Sequence, residues 1–211
     1  MYKVKMSYIM ILDTETSGLP PKLSNAYQDR WKFKPVTDSK AWECARLVQI
    51  AWNLYTKSGE VICKRDFVIY PDGFVIPKEA SNVHGFTTEV AKRDGIPLRS
   101  ALEVLGEDLV DTCLIVCHNV GFDDKIVASE LIRSKMNWVY SMWKGKSKHC
   151  TMLTNTLPGE RWPKLCNLYE RLFGHQPVAD LHKADEDIRV TADVFFKLYP
   201  TGIVRQLYTE K

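Results

Sequence analysis

The chain has 211 residues, 45% of them hydrophobic and 26% charged, with a net charge of +3 and a pI near 8.4. That is enough for one domain with a real core, and the mild basicity permits a nucleic-acid partner without demanding one. No apolar run approaches a membrane span, the N-terminus lacks a signal-peptide layout, and the six cysteines form no CxxC pair or paired His/Cys spacing. We therefore expect an intracellular protein of the cytoplasm or nucleus, with free thiols, no structural zinc and no membrane contact.

In chain order, the first element is Tyr8-Ile9-Met10-Ile11-Leu12-Asp13-Thr14-Glu15-Thr16-Ser17-Gly18. Its five apolar residues read as a strand buried on both faces. Asp13 and Glu15 then share one face, about 7 Å apart along the strand. Two carboxylates at the end of a central strand make half of a magnesium cage. A surface hairpin with two solvated acids is the alternative, and the apolar run contradicts it. A long polar segment, Pro20 to Cys44, follows with Trp31, Phe33 and Trp42; at that length it reads as a functional insertion or carries its own helix. Leu47–Tyr55 and Val61–Tyr70 read as strands joined by a turn at Lys57-Ser58-Gly59. Leu98, Ala101, Leu102, Leu105 and Leu109 give helical spacing, and Leu114–Cys117 a short buried strand. Helices are expected from Phe122 to Arg133, from Pro163 to Gly174, and in a last segment carrying Ile188, Thr191, Phe195 and Leu198 on one face. Strand, strand, strand, helix, strand, helix, helix, helix is the order of an α/β layer fold with a mixed sheet.

Two further polar clusters sit at element ends. His118-Asn119-Val120-Gly121-Phe122-Asp123 marks a strand-to-helix junction, where ligand sites of α/β sheets assemble, although Asp123 is equally readable as a first-turn helix acid. In His182-Lys183-Ala184-Asp185-Glu186-Asp187, His182 and Asp187 would lie about 140° apart on one helix. They converge only if His182 is in the preceding loop and Asp187 on the inner face. The plain alternative is an acidic first turn favoured by the helix dipole. Taken together, Asp13, Glu15, Asp123 and Asp187 come from three separate elements and would repel unless cations neutralised them, and two Mg²⁺ ions about 4 Å apart require such a set.

With these motifs the chain resembles the DEDDh 3′–5′ exonucleases of the ribonuclease H-like superfamily, of the proofreading epsilon-subunit type. The matching residues are Asp13-Thr14-Glu15-Thr16-Ser17-Gly18, His118 to Asp123, and His182, Ala184 and Asp187. Val83-His84-Gly85-Phe86-Thr87 resembles the family's VHGI-like loop, with Glu79 five residues before His84. Departures are Cys150-Thr151-Met152, where many relatives carry an acid–Thr pair, and the long 20–44 insertion.

The resemblance implies an α/β, ribonuclease H-like mixed β-sheet of about five strands flanked by helices. It also implies a single exonuclease domain over residues 1–211. The implied activity is metal-dependent 3′–5′ hydrolysis of DNA to nucleoside 5′-monophosphates, with two Mg²⁺ per site and Mn²⁺ able to substitute. Asp13, Glu15 and Asp187 would hold one ion, Asp13 and Asp123 the other, and His182 would act as general base. Thr16, Leu19, Glu79, His84, His118 and Phe122 are the implied substrate contacts, with plain core the alternative for Leu19 and Phe122 and a turn role for His84. Single-stranded 3′ ends of DNA are the expected partner. An exoribonuclease on the same scaffold and a non-catalytic nucleic-acid-binding module are the alternatives. Only 24 residues follow Asp187, so a polymerase or repair partner would act in trans.

Two segments suggest further substrate contact. The 20–44 insertion leaves directly after the metal-binding strand and is rich in lysine. Between Arg133 and His149 there is no Asp or Glu, while Arg133, Lys135, Lys144, Lys146 and Lys148 accompany Trp138, Tyr140 and Trp143. That combination suits phosphate neutralisation with base stacking, or else a core-packed segment with solvated lysines.

Overall fold

The computed structural model describes residues 8–24, 32–178, 183–204 and 207–208. The first strand, β1 (Tyr8–Thr16), lies at the centre of a five-stranded sheet. β2 (Leu47–Tyr55) pairs antiparallel with it, and β3 (Val61–Val68) antiparallel with β2 at one edge. Three helices follow, α1 (Lys78–His84), α2 (Thr88–Asp94) and α3 (Leu98–Val110), before β4 (Thr112–Cys117) returns parallel to β1. Beyond β4 come α4 (Val120–Arg133), α5 (Asn137–Gly145), the parallel edge strand β5 (Ser147–Cys150) and the short α6 (Thr151–Thr154). The chain ends with α7 (Leu165–Phe173) and α8 (Ala184–Leu198). The strand order is β3-β2-β1-β4-β5. This is the mixed α/β sheet expected.

Alternation along β1 assigns the two layers. Met10 and Leu12 pack with Leu102 and Leu105 of α3, Ile126 of α4 and Val139 of α5. Ile9 and Ile11 face the other way, onto Ile188 and Phe195 of α8. Both faces of β1 are therefore covered, which is why its apolar residues run without interruption. The same alternation sends Asp13 and Glu15 to the α8 side and Thr14 to the α4 side. α7 packs on the outer face of α8 through Leu168, Tyr169, Val190 and Val194.

Some boundaries differ from those expected. The third strand stops at Val68, because Ile69 and Tyr70 turn to bridge Ile96. The helix expected from Pro163 starts at Leu165, and the Pro163 carbonyl is used elsewhere, by His118. The Arg133–His149 stretch contains both α5 and β5, neither of them expected. β5 is four residues long, too short for its period to be read, and α5 commits only Val139 and Trp143 to the core.

Candidate active site

Three carboxylates meet where β1 ends beneath α8. Asp13, Glu15 and Asp187 each offer an oxygen, and the three oxygens lie within 4.8 Å of one another. Asp187 is in the first turn of α8, where the N-terminal dipole favours an acid, and its backbone N–H makes an early helical bond to the Lys183 carbonyl at 2.9 Å.

Asp123 approaches from the opposite layer. It lies in the first turn of α4, after Asn119 has taken a left-handed φ of 77°, and is only 2% exposed. Thr14, on the far face of β1, donates its hydroxyl to Asp123 Oδ1 at 2.8 Å. Thr14 thus ties the fourth acid to the strand that carries the first two.

This crowding raises every carboxyl whose titration is perturbed here. Burial first, then the charges of Asp123, Asp187 and Glu15, push Asp13 well above the carboxylate range. Glu15 is pushed up to about 8 by burial and by Asp187 and Asp123. Burial lifts Asp123 to about 7 despite the opposing bonds from Thr14. Such a group stays partly protonated at neutral pH unless a cation replaces the protons. Hard oxygen donors at this spacing fit a divalent ion such as Mg²⁺. The donor set and its electrostatics agree.

The other expected site residues divide. His182, the implied base, lies outside the described residues, as do Arg30 and Trp31 of the insertion. Thr16 is buried, its hydroxyl donating to the Gly18 carbonyl at 2.8 Å. Leu19 is 75% exposed just beyond, so it is not core. Phe122 is half-buried and packs against the α3–α4–α5 core. His84 closes α1 and is buried; its Nδ1 accepts from the Phe86 amide at 3.1 Å. Its Nε2 is buried with no hydrogen-bond partner among the described residues. Burial lowers the ring's pKa, opposed by the nearby Thr16 backbone. Glu79 is exposed in the first turn of α1 and is not among the acids brought together.

Two expected contact sets have their polar atoms engaged within the protein. His118 Nδ1 meets the Thr151 hydroxyl at 2.9 Å and its Nε2 meets the Pro163 carbonyl at 3.0 Å. A carbonyl can only accept, so Nε2 carries the proton and Nδ1 accepts from Thr151. Burial pulls the ring's pKa down to about 4, consistent with a neutral imidazole that locks the β4–α4 junction to the segment before α7. Thr151 is the residue at the point of family departure. The three lysines differ in their surroundings. Lys148 is 8% exposed, donates to the Trp143 carbonyl at 2.8 Å and pairs with Asp124 at 3.4 Å. Lys146 donates to the Thr112 carbonyl at 2.7 Å, at the start of β4 and so at the end of the sheet away from the acids. Only Lys144 is exposed. The ammonium groups are drawn to backbone carbonyls because this stretch wraps the sheet edge.

The described part of the insertion is anchored. Lys22 and Phe33 form an antiparallel bridge, and Phe33 packs edge-on against the buried Trp42 at 6.5 Å. Glu43 pairs with Arg46 and Arg133, which converge on the buried Glu130 of α4. Sequence reading missed Thr14, Gln49 and Thr151. The available signal was a polar residue inside a buried apolar run, as Gln49 is in Leu47-Val48-Gln49-Ile50-Ala51-Trp52. A groove of about 640 Å³ between β3 and α8, lined by Tyr55, Lys64, Asp66 and Arg189 among others, contains none of the four acids.

Solved structures with the same fold include exonuclease I. The apo form is 18% identical with a TM-score of 0.65 over 92% of this chain, and an E. coli exonuclease I complex with a dT13 oligonucleotide is 20% identical with a TM-score of 0.65 over 91%. A complex described as SSB/exonuclease I with an inhibitor is 18% identical, with a TM-score of 0.64 over 92% of this chain. This chain spans only 40–42% of the length of those three chains. No curated protein sequence matches it. The family model for RNase T, described as an exonuclease, matches residues 10–195, a span that begins inside β1 and ends inside α8. With that match over most of its length, the chain belongs to the RNase T family of exonucleases.

Proposed function

We propose that the chain is a divalent-metal-dependent 3′–5′ exonuclease acting on single-stranded 3′ ends of DNA and releasing nucleoside 5′-monophosphates. The observation that carries this reading is the mutual approach of Asp13, Glu15 and Asp187 oxygens within 4.8 Å. The E. coli exonuclease I complex with an oligonucleotide supports single-stranded DNA as substrate.

Asp13, Glu15 and Asp187 would hold one Mg²⁺, and Asp13 with Asp123 a second. Divalent cations at such a site supply charge neutralisation for the phosphate and lower the pKa of water. His182 takes the proton of the attacking water, a task for a group titrating near neutrality. Thr14 keeps Asp123 turned toward the cleft. Leu19, exposed beyond the end of β1, and the half-buried Phe122 would offer apolar surface to the last base, a sequence-tolerant contact. The insertion, springing from the strand that carries Asp13 and Glu15, would meet the incoming strand. A repair or polymerase partner would act in trans.

Product analysis tests the reading. Single-stranded DNA and RNA of the same sequence are incubated with Mg²⁺, Mn²⁺ or EDTA and the mononucleotides separated. Deoxynucleoside 5′-monophosphates formed only with metal are expected. Ribonucleotides from RNA alone would move the substrate to RNA, and nucleoside 3′-monophosphates would refute the mechanism.

A further inference from the structure

Gln49 is 2% exposed in the middle of β2. It stands opposite Glu15 in the β1–β2 register, and opposed residues of antiparallel strands share a face, so its side chain lies on the side of the acids. Both ends of its amide are engaged. Nε2 donates to Asp66 Oδ1 of β3 at 2.7 Å, and Oε1 accepts the backbone N–H of Ala184 at 3.2 Å, 135 residues away in sequence. A backbone N–H can only donate and a carboxylate prefers to accept, so the two partners fix which way the amide faces.

Ala184 is the first residue of α8. The amides of a first helical turn need outside acceptors, and the N-cap side chain normally supplies one. Here the N-cap is Lys183, which makes no side-chain cap bond. Gln49 supplies from the sheet an outside acceptor for the first of these amides. Asp187 lies three residues on, on the same side of the first turn as Ala184. Whatever fixes the height and rotation of that turn over β2 also fixes where the Asp187 carboxylate meets Asp13 and Glu15.

We propose that Gln49, oriented by Asp66, is a positioning residue of the metal site: it caps α8 from β2 and so holds Asp187 within reach of Asp13 and Glu15. The role in metal binding rests on the reading of Asp187 as a ligand.

The test uses the full chain with three variants: Gln49→Met, the exchange Gln49→Glu with Asp66→Asn, and Asp187→Ala. The exchange keeps the net charge and restores the relay in reversed polarity, since an Asn amide can donate to a Glu that accepts from Ala184. Two quantities are measured: hydrogen exchange of the Ala184 amide without metal, and Mn²⁺ affinity by calorimetry. Gln49→Met should expose the Ala184 amide to exchange and weaken Mn²⁺ binding by about 10-fold or more, the usual cost of losing a group that orients a ligand. The exchange variant should recover most of both. Unchanged Mn²⁺ affinity in Gln49→Met, or no recovery in the exchange variant, overturns the proposal. Should Gln49→Met fail to fold, Asp66→Ala leaves Gln49 in place but frees its amide to turn, and the same comparison decides. If Asp187→Ala binds Mn²⁺ like the parent, the ligand reading fails, while the exchange of Ala184 still judges the cap.

Discussion

Replacing Asp187 by Asn should stabilise the metal-free protein while abolishing its response to metal. Two full charges 4.8 Å apart repel by about 3 to 4 kcal/mol at an effective dielectric near 20, and the oxygens of Asp13, Glu15 and Asp187 come within that distance of one another. The protein sheds part of this by keeping protons: burial first, and then the neighbouring charges, push Glu15 up to about 8. The sign follows from linkage. An acid whose folded pKa is raised costs nothing below its unfolded value near 4.5; the cost grows as pH rises and levels off above about 8. At pH 8, the Asp187→Asn substitution removes one charge from the group, and we expect a gain of roughly 1 to 2 kcal/mol, or about 3–6 °C in melting temperature for a chain of this size. At pH 4.5 the gain should vanish. Adding Mg²⁺ or Mn²⁺ should raise the parent's melting temperature and leave the variant's nearly unmoved. Thermal melts of both proteins at pH 4.5 and 8, with metal and with EDTA, provide the comparison. A variant less stable than the parent at pH 8 without metal, or equally responsive to metal, would refute the reasoning.

Metal binding at pH 7 should release protons, because Glu15 and Asp123 titrate at about 8 and about 7 without metal; calorimetry in buffers of different ionisation enthalpy measures the number, and zero release would contradict the raised pKa values. If His182 is the base, hydrolysis should rise through about pH 6 to 7, and His182→Ala should lose that limb and most of its rate while still binding Mn²⁺. Thr14→Val should cost about 1–3 kcal/mol of stability in a denaturant titration, since it removes the hydroxyl that donates to the buried Asp123 carboxyl, and should slow turnover; Thr14→Ser should restore both. Lys148→Met should lower stability while leaving the slope of log affinity against log salt unchanged; a slope flatter by about 0.7 on single-stranded DNA would instead make Lys148 a phosphate contact.

The fold and the acids were legible for the same reason. A strand buried on both faces cannot tolerate Asp13 and Glu15 at its end without cations, so the conflict itself marks the site. Asp123 and Asp187 sit at two helix starts, where an acid is ordinary, and they stood out only in company with the first pair. Partners chosen by tertiary packing were not legible. Asp13-Thr14-Glu15 does not reveal that the middle residue faces the other layer's acid, because this depends on α4 crossing beneath β1. Gln49 stands out as polar in an apolar strand, yet its two partners lie 17 and 135 residues away. The internal partners of His118 and Lys148 were not legible either, because type and neighbourhood suit ligand binding equally well. Only the positions of Thr151, Pro163 and Trp143 show that their polar atoms are already engaged.

Degradation of 5′-labelled single-stranded DNA, sampled over time on a denaturing gel, tests the central claim most directly. With Mg²⁺ the label should remain on a ladder that shortens from the 3′ end one nucleotide at a time, and it should stay full length in EDTA or with Asp13→Ala. Immediate release of the label as a mononucleotide, or an undiminished ladder from Asp13→Ala or in EDTA, would contradict a 3′–5′ exonuclease run by these acids and their metal.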